Sequence, residues 1–313
     1  MCDAGSEPAL DLLCLPWGTI GKLWPAERVV MGLRVCKVLR HELLEHVHQV
    51  TLIKSKGTAA SDLALAKDLA RFGEQNAVTL TWGDGRNHSC SSVLQAALSS
   101  TFPAALKSLH LKEVQESDIA SLKDVLSESK NLTRIDLSES GVGDSMATLA
   151  QGFQACTKLQ HVKLNATFLD NAAMRNLAPT LGRCSELAHV DLRLNNLGDG
   201  GAHSLADALA ACTTMTCLDV SENNIGAEGT ARLFAVLAKC TAMSSLRASG
   251  NVVGAAGAAM LARAVGGWES LTCLDLLGGQ MYYEGFAHLA PALAHCKKLR
   301  QVALGANRIG DEG

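Results

Sequence analysis

Cysteine, histidine and glycine carry most of the chemistry a chain like this could perform. Cys156, Cys184, Cys212, Cys240 and Cys296 recur at multiples of 28 residues, with Trp268 in the one vacant place. Such a ladder could hold metal or cycle through disulfides. It could equally close a core, because a free cysteine packs as a small hydrophobe. Helices on neighbouring layers lie roughly 10 Å apart, too far for easy bridging, which favours packing. The segment HELLEH (His41 to His46) has the letters of a zinc-peptidase helix, but its histidines are five apart and do not share a helix face as i, i+4 residues do. His46 and His48 could approach one metal across a strand, without an evident third ligand. WGDGRN (Trp82 to Asn87) and GVGDS (Gly141 to Ser145) look like phosphate loops, yet neither is followed by the Lys-Ser/Thr pair that such loops need. No Gly-x-Ser-x-Gly nucleophile elbow occurs. The expectation is a protein without catalytic, metal or cofactor chemistry.

The elements that position these residues are set by a repeat. Segments starting at Leu187, Met215, Met243, Leu271 and Leu299 align at a fixed period of 28. Leu159, Leu132 and Leu106 extend the series backwards at spacings of 28, 27 and 26, and two degenerate units begin near Val47 and Gln75. Residues 47–313 thus comprise about nine full units and a truncated tenth. Each unit opens with period-2 apolar alternation, which predicts a short parallel strand. It continues with apolar residues at i, i+3 and i+4, as in Ala202, Leu205, Ala206 and Leu209, which predicts a helix with one buried stripe. One unit cannot bury its own apolar face; stacking the units does. The fold class is therefore α/β, a solenoid with a curved parallel sheet inside and helices outside.

The unit pattern L-x-x-L-x-L-x-x-N-x-I/L-G-x-x-G, with the tail seen in AHSLADALAACT (Ala202 to Thr213), resembles the leucine-rich repeat of the ribonuclease-inhibitor subfamily. The resemblance implies a non-enzymatic protein-binding scaffold. Asn195, Asn223, Asn251 and Asn307 stand just after the strand, where a buried amide can both donate and accept towards neighbouring coils. Gly198, Gly226, Gly254 and Gly310 are expected to supply backbone freedom at the turn into the helix.

If the first, fourth and sixth positions of each unit point into the core, the third, fifth and seventh line the concave sheet. The fifth position reads Thr51, Thr79, His110, Asp136, Lys163, Asp191, Asp219, Arg247, Asp275 and Ala303; the third and seventh add Arg134, His161, His189, Arg193 and Lys112. Neighbouring strands lie about 4.8 Å apart, so Asp136-Lys163-Asp191 and Asp219-Arg247-Asp275 are expected to pair across the sheet. Two uses follow for this strip: a mutually neutralised, solvated ladder, or a surface that meets a protein partner of complementary charge. In the unit from Leu271 the asparagine is replaced by Gly279, and Tyr282-Tyr283 enter the turn, a possible loop contact for a partner.

Residues 1–46 do not fit the repeat. Val29, Leu33, Cys36, Leu39, Leu43 and Val47 form one apolar helical face, as expected of a helical cap over the open end of the array. In competition with that, Leu15-Pro16, Leu23, Pro25, Leu33 and Val35-Cys36-Lys37 resemble an F-box, a three-helix motif. That resemblance implies a ubiquitin-ligase adaptor docked through residues 13–46, with the repeats selecting its substrate. Trp17 and Leu39 depart from the F-box pattern.

Bulk composition narrows the partners. Lys and Arg number 28 against 31 Asp and Glu, a net charge of −3, with no basic footprint for nucleic acid or an acidic membrane. No run of about 18 apolar residues suits a membrane span. The N-terminal ten residues lack the basic start of a signal peptide, and eleven cysteines without a C-x-x-C read as reduced thiols. A cytoplasmic protein is expected, with the nucleus an alternative. A regulatory role like that of GTPase-activating or innate-immune-receptor repeats is the second functional reading. The chain stops after the strand and turn of its tenth unit. It therefore reads as a fragment of a longer array, or as one whose end a partner covers.

Overall fold

The computed structural model describes residues 106–311, the strand backbones at 29–30, 49–52 and 77–82, and the single positions Leu94 and Ala104. The strands are β1 (Val29–Val30), β2 (Gln49–Leu52), β3 (Ala77–Trp82), β4 (Leu106–Leu111), β5 (Arg134–Asp136), β6 (His161–Lys163), β7 (His189–Asp191), β8 (Cys217–Asp219), β9 (Ser245–Arg247), β10 (Cys273–Asp275) and β11 (Gln301–Ala303). Between them, from β4 onward, lie α1 (Ile119–Glu128), α2 (Met146–Phe153), α3 (Asn171–Leu181), α4 (Gly198–Leu209), α5 (Ala227–Leu237), α6 (Gly254–Val265) and α7 (Tyr282–Leu293). The strands form one sheet in sequence order, and every pairing is parallel. Consecutive helices pack on one another along the other layer. This is the α/β solenoid the repeat predicts.

The periodicity explains the burial. First-position Leu132, Leu159, Leu187, Met215 and Met243, fourth-position Ile135, Val162, Val190, Leu218 and Leu246, and sixth-position Leu137, Leu164, Leu192 and Val220 are all buried. From the helical side, Ala202, Leu205, Ala206 and Leu209 of α4 meet them. Each such leucine withdrawn from water contributes about 1.5–3 kcal/mol. The cysteines at 156, 184, 212, 240 and 296 lie in this core, and the seven described cysteines are free thiols. Their sulfhydryls donate to backbone of the preceding coil: Cys156 Sγ to Leu126 O, 3.4 Å; Cys184 Sγ to Cys156 O, 3.4 Å; Cys240 Sγ to Cys212 O, 3.2 Å.

The asparagines form a ladder between coils. Asn195 Nδ2 donates to Leu164 O and Leu192 O (2.7 and 2.8 Å), while its Oδ1 accepts from the amides of Thr167 and Leu169 (3.0 and 2.9 Å). Irregular backbone at the strand ends is thereby satisfied without water.

Three local expectations are corrected. Val29 was expected to open a helical face, but Val29 and Val30 pair with Val50 and Thr51 as a strand; two adjacent β-branched residues suit a pleated edge. The remainder of residues 13–46, and with it the cap and F-box readings, lies outside the described residues. Gly198, Gly254 and Gly310 do adopt left-handed φ of +56°, +62° and +76°. Gly226 does not: its φ is −82°, and it is small because Asp199 of the preceding coil approaches, Oδ1 accepting from the amides of Gly226 and Gly229 (2.8 and 2.9 Å) at the start of α5. Finally, a bulge between Val78 and Thr79 places His110 opposite Thr81, not Thr79, on the sheet.

Candidate functional site

The sheet face turned away from the helices, the concave side of the solenoid, carries the polar positions. Because side chains alternate, the middle residue of each strand from β5 to β10 is buried, and the two flanking residues stand on the open face. Parallel register then aligns equivalent positions. Arg134, His161, His189 and Cys217 form one row, and Asp136, Lys163, Asp191, Asp219, Arg247 and Asp275 another.

The register is as expected; the ion pairing is not. Among the described residues, neither Lys163 nor Arg247 has a carboxylate within 4.0 Å, although both stand between aspartates. The aspartates have turned to their own backbone instead. Asp136 Oδ1 accepts from the amide and hydroxyl of Ser138 (3.0 and 2.6 Å). Asp191 Oδ1 accepts from Arg193 N at 3.1 Å, Asp219 Oδ1 from Ser221 N at 3.0 Å, and Asp275 Oδ1 from Leu277 N at 3.1 Å. The physical reason is entropic: a short side chain reaching two residues along costs little ordering, whereas a cross-strand pair must immobilise a long Lys or Arg. Asp136 also meets His110, Nδ1 to Oδ2 at 3.1 Å, and Lys112 bonds Glu139 at 3.2 Å.

The cations are left over. Arg134, Lys163 and Arg193 are exposed, Arg247 is half-buried, and none has a side-chain partner among the described residues. Between Arg134 and Lys163 on one side and Asp219 on the other, the rings of His161 and His189 stack with centroids 5.7 Å apart. Burial, reinforced by Arg134, His189 and Lys163, holds His161 below the ordinary histidine range, and its buried Nδ1 has no hydrogen-bond partner among the described residues. His189 is lowered too, by burial and then by Lys163. Burial raises Asp191, and the like charge of Asp219 opposite adds to it. Among the described residues, no group of three or more His, Cys, Asp or Glu is placed to hold a metal ion, and no helix is long and apolar enough to cross a membrane.

Two features flank this strip on the loops that follow the strands. Tyr282 and Tyr283 are about half exposed at the start of α7, and Arg308 of the next coil approaches Tyr282, Nη1 to hydroxyl at 3.4 Å with the guanidinium 5.9 Å from the ring centroid. Phe168 and Leu194, after β6 and β7, are 77% and 49% exposed. Sequence reasoning did not single out these two. The signal was present: Phe168 occupies a turn position that in the next two coils is asparagine, Asn196 and Asn224.

Three segments, residues 184–206, 211–233 and 295–313, match the family model described as Leucine Rich repeat. Among solved structures the chain is similar to an internalin from Listeria monocytogenes, at 16% identity and a TM-score of 0.38, over 83% of this chain and 88% of that one. No curated protein matches it.

Proposed function

Starting from a leucine-rich repeat solenoid, we propose that this protein is a non-enzymatic recognition scaffold that binds a protein partner on its open sheet face. One observation carries the reading: an in-register strip of polar side chains in which the aspartates are satisfied locally while Arg134, Lys163, Arg193 and Arg247 have no side-chain partner among the described residues. Fold by itself does not decide function; the argument rests on the site. Unit length and the glycine-containing turn support a ribonuclease-inhibitor type of repeat.

The test is affinity capture from the native cell with three full-length baits. Lys163→Glu with Arg247→Glu should lose the partner retained by the unmodified chain, and Arg175→Glu with Arg263→Glu, on the helical layer, should keep it. A partner retained by the first variant and lost by the second would move recognition to the helices. The narrower reading, a ubiquitin-ligase substrate receptor docked through residues 13–46, rests on the Leu15-Pro16 to Lys37 pattern. The strand at Val29–Val30, inside a motif made of helices, counts against it. Failure of the full chain to bind the ligase adaptor would remove that reading and leave the scaffold reading untouched. Turnover of GTP by candidate small GTPases above background would favour a GTPase-activating role instead.

A further inference from the structure

Exposed cations and exposed apolar side chains coincide on three consecutive coils. Arg134 stands on β5, Lys163 on β6 and Arg193 just after β7, all exposed and without side-chain partners among the described residues. Phe168 and Leu194 stand on the loops that follow β6 and β7. The carboxylates of the same coils are engaged: Asp136 by Ser138 and His110, Asp191 by the Arg193 amide. A hydrogen bond to an amide leaves a carboxylate its charge, so the balance is one of number: Arg134, Lys163 and Arg193 outnumber Asp136 and Asp191 at this end of the strip, whereas Asp219 and Asp275 outnumber Arg247 at the other.

The apolar pair is held rigidly. Phe168 has a left-handed φ of +60° and Leu194 one of +57°, conformations that cost a bulky side chain energy. Both are enforced from neighbouring coils. The amides on either side of Phe168 donate to Asn195 Oδ1, and Gly143 lacks a side chain where a Cβ would come within 2.1 Å of the Phe168 carbonyl oxygen. The Leu194 amide donates to Ser221 O at 3.0 Å. A phenyl ring that is 77% exposed on a loop so fixed loses little freedom when something covers it.

We propose that β5 to β7 and their following loops dock an acidic peptide segment that carries a large apolar side chain. Its carboxylates meet Arg134, Lys163 and Arg193, and the apolar side chain packs against Phe168 and Leu194. Charge complementarity sets the register and the apolar contact adds hold, as at interfaces with a buried aromatic anchor and a polar rim. This rests on the open-face reading above and narrows it to one end of the strip and one partner chemistry.

Fluorescence anisotropy with labelled twelve-residue probes tests it on the full chain: a Glu-rich peptide with one central Phe, the same peptide with Ala for Phe, a Lys-rich peptide with Phe, and oligo-dT. The Glu/Phe probe should bind, and weaken as salt rises. Arg134→Glu with Lys163→Glu should weaken it at least about tenfold, and Phe168→Ala several-fold. Arg175→Glu should leave it unchanged. Circular dichroism and thermal unfolding should match the parent for each variant, since every altered side chain is exposed. Absence of binding at low salt, equal binding of the Lys-rich probe, preference for oligo-dT, or indifference to Arg134→Glu with Lys163→Glu or to Phe168→Ala would each overturn the proposal. If the Glu/Phe probe fails while a native partner is still lost from the Lys163/Arg247 bait, only this narrower inference falls.

Discussion

The asparagine ladder is not equivalent at every rung, and the difference gives a sharp test of the packing argument. Asn251 Oδ1 accepts from the amides of Asn223 and Ile225 (3.2 and 3.0 Å), which make no other hydrogen bond among the described residues, and its Nδ2 donates to Val220 O and Ala248 O (2.8 and 3.1 Å). Asn223 sits one coil earlier with 0% exposure, yet its Oδ1 has no partner among the described residues. Its Nδ2 serves Leu192 O, Val220 O and Ser221 O, and each of these has a second donor: Asn195 Nδ2, Asn251 Nδ2 and the Leu194 amide. Asn251→Ala therefore strands two buried amides, at about 1–3 kcal/mol each, for a loss of roughly 2–6 kcal/mol. Asn223→Ala strands no backbone group and removes an unpaired oxygen; the cost is that of shared hydrogen bonds, about 1 kcal/mol. Both remove the same volume, so the cavity contributions largely cancel. Urea unfolding followed by circular dichroism should rank Asn251→Ala well below Asn223→Ala. Amide exchange at Ile225, which should accelerate in the former alone, supplies a local readout should the repeats unfold in parts. An Asn223→Ala variant as unstable as Asn251→Ala would refute the reasoning.

Three further outcomes are expected. Gly198→Ala, where φ is +56° and an added Cβ meets nothing within 4 Å, should cost about 1–2 kcal/mol from backbone alone; Gly143→Ala, whose Cβ would fall 2.1 Å from Phe168 O, should cost more and displace that loop, as chemical denaturation and the Phe168 NMR signals would report. Among the seven described cysteines, native alkylation read by mass spectrometry should reach half-buried Cys217 on the sheet face first, by access alone since burial raises its thiol too, and spare Cys156, whose thiol burial pushes up to about 12, and Cys240, raised by the Cys212 thiol beside it and by burial. Because His161 and His189 titrate below 6.5 in the folded chain, the unfolded chain binds more protons between that lowered value and 6.5. Stability should be complete above pH 6.5 and fall as pH drops through 6.5; His161→Gln with His189→Gln should flatten that slope, and an unchanged slope would mean the rings do not sense their surroundings as described.

Much of this was legible in the sequence because burial is periodic. A leucine at the first, fourth and sixth positions of a 28-residue unit has one way to be buried beside its neighbours, so strand identity, parallel register and the alignment of Arg134, His161 and His189 followed. The same holds for Asn195 and Asn251, whose side chains have both a donor and an acceptor to place. What the pattern did not show was the choice between two partners of similar energy. Asp191 lies opposite Lys163 and also two residues from an amide, and the shorter reach wins. Gly226 matched the other turn glycines in letters but answers to the Asp199 carboxylate of the coil before it, a contact across 27 residues. Phe168 and Leu194 escaped notice because they stand outside the buried positions that define the period; for Phe168 the only mark was its place at a turn position held by asparagine in the next two coils.

Recognition on the open sheet face is tested most directly by photo-crosslinking. A benzophenone amino acid is placed in the full chain at Lys163 or Arg247 on the sheet, or at Arg175 or Arg263 on the helices, and irradiated in the native cell. The account predicts one covalent adduct of the same mass from both sheet positions and none from the helical positions. The same adduct formed from Arg175 or Arg263, with Lys163 and Arg247 silent, would contradict it.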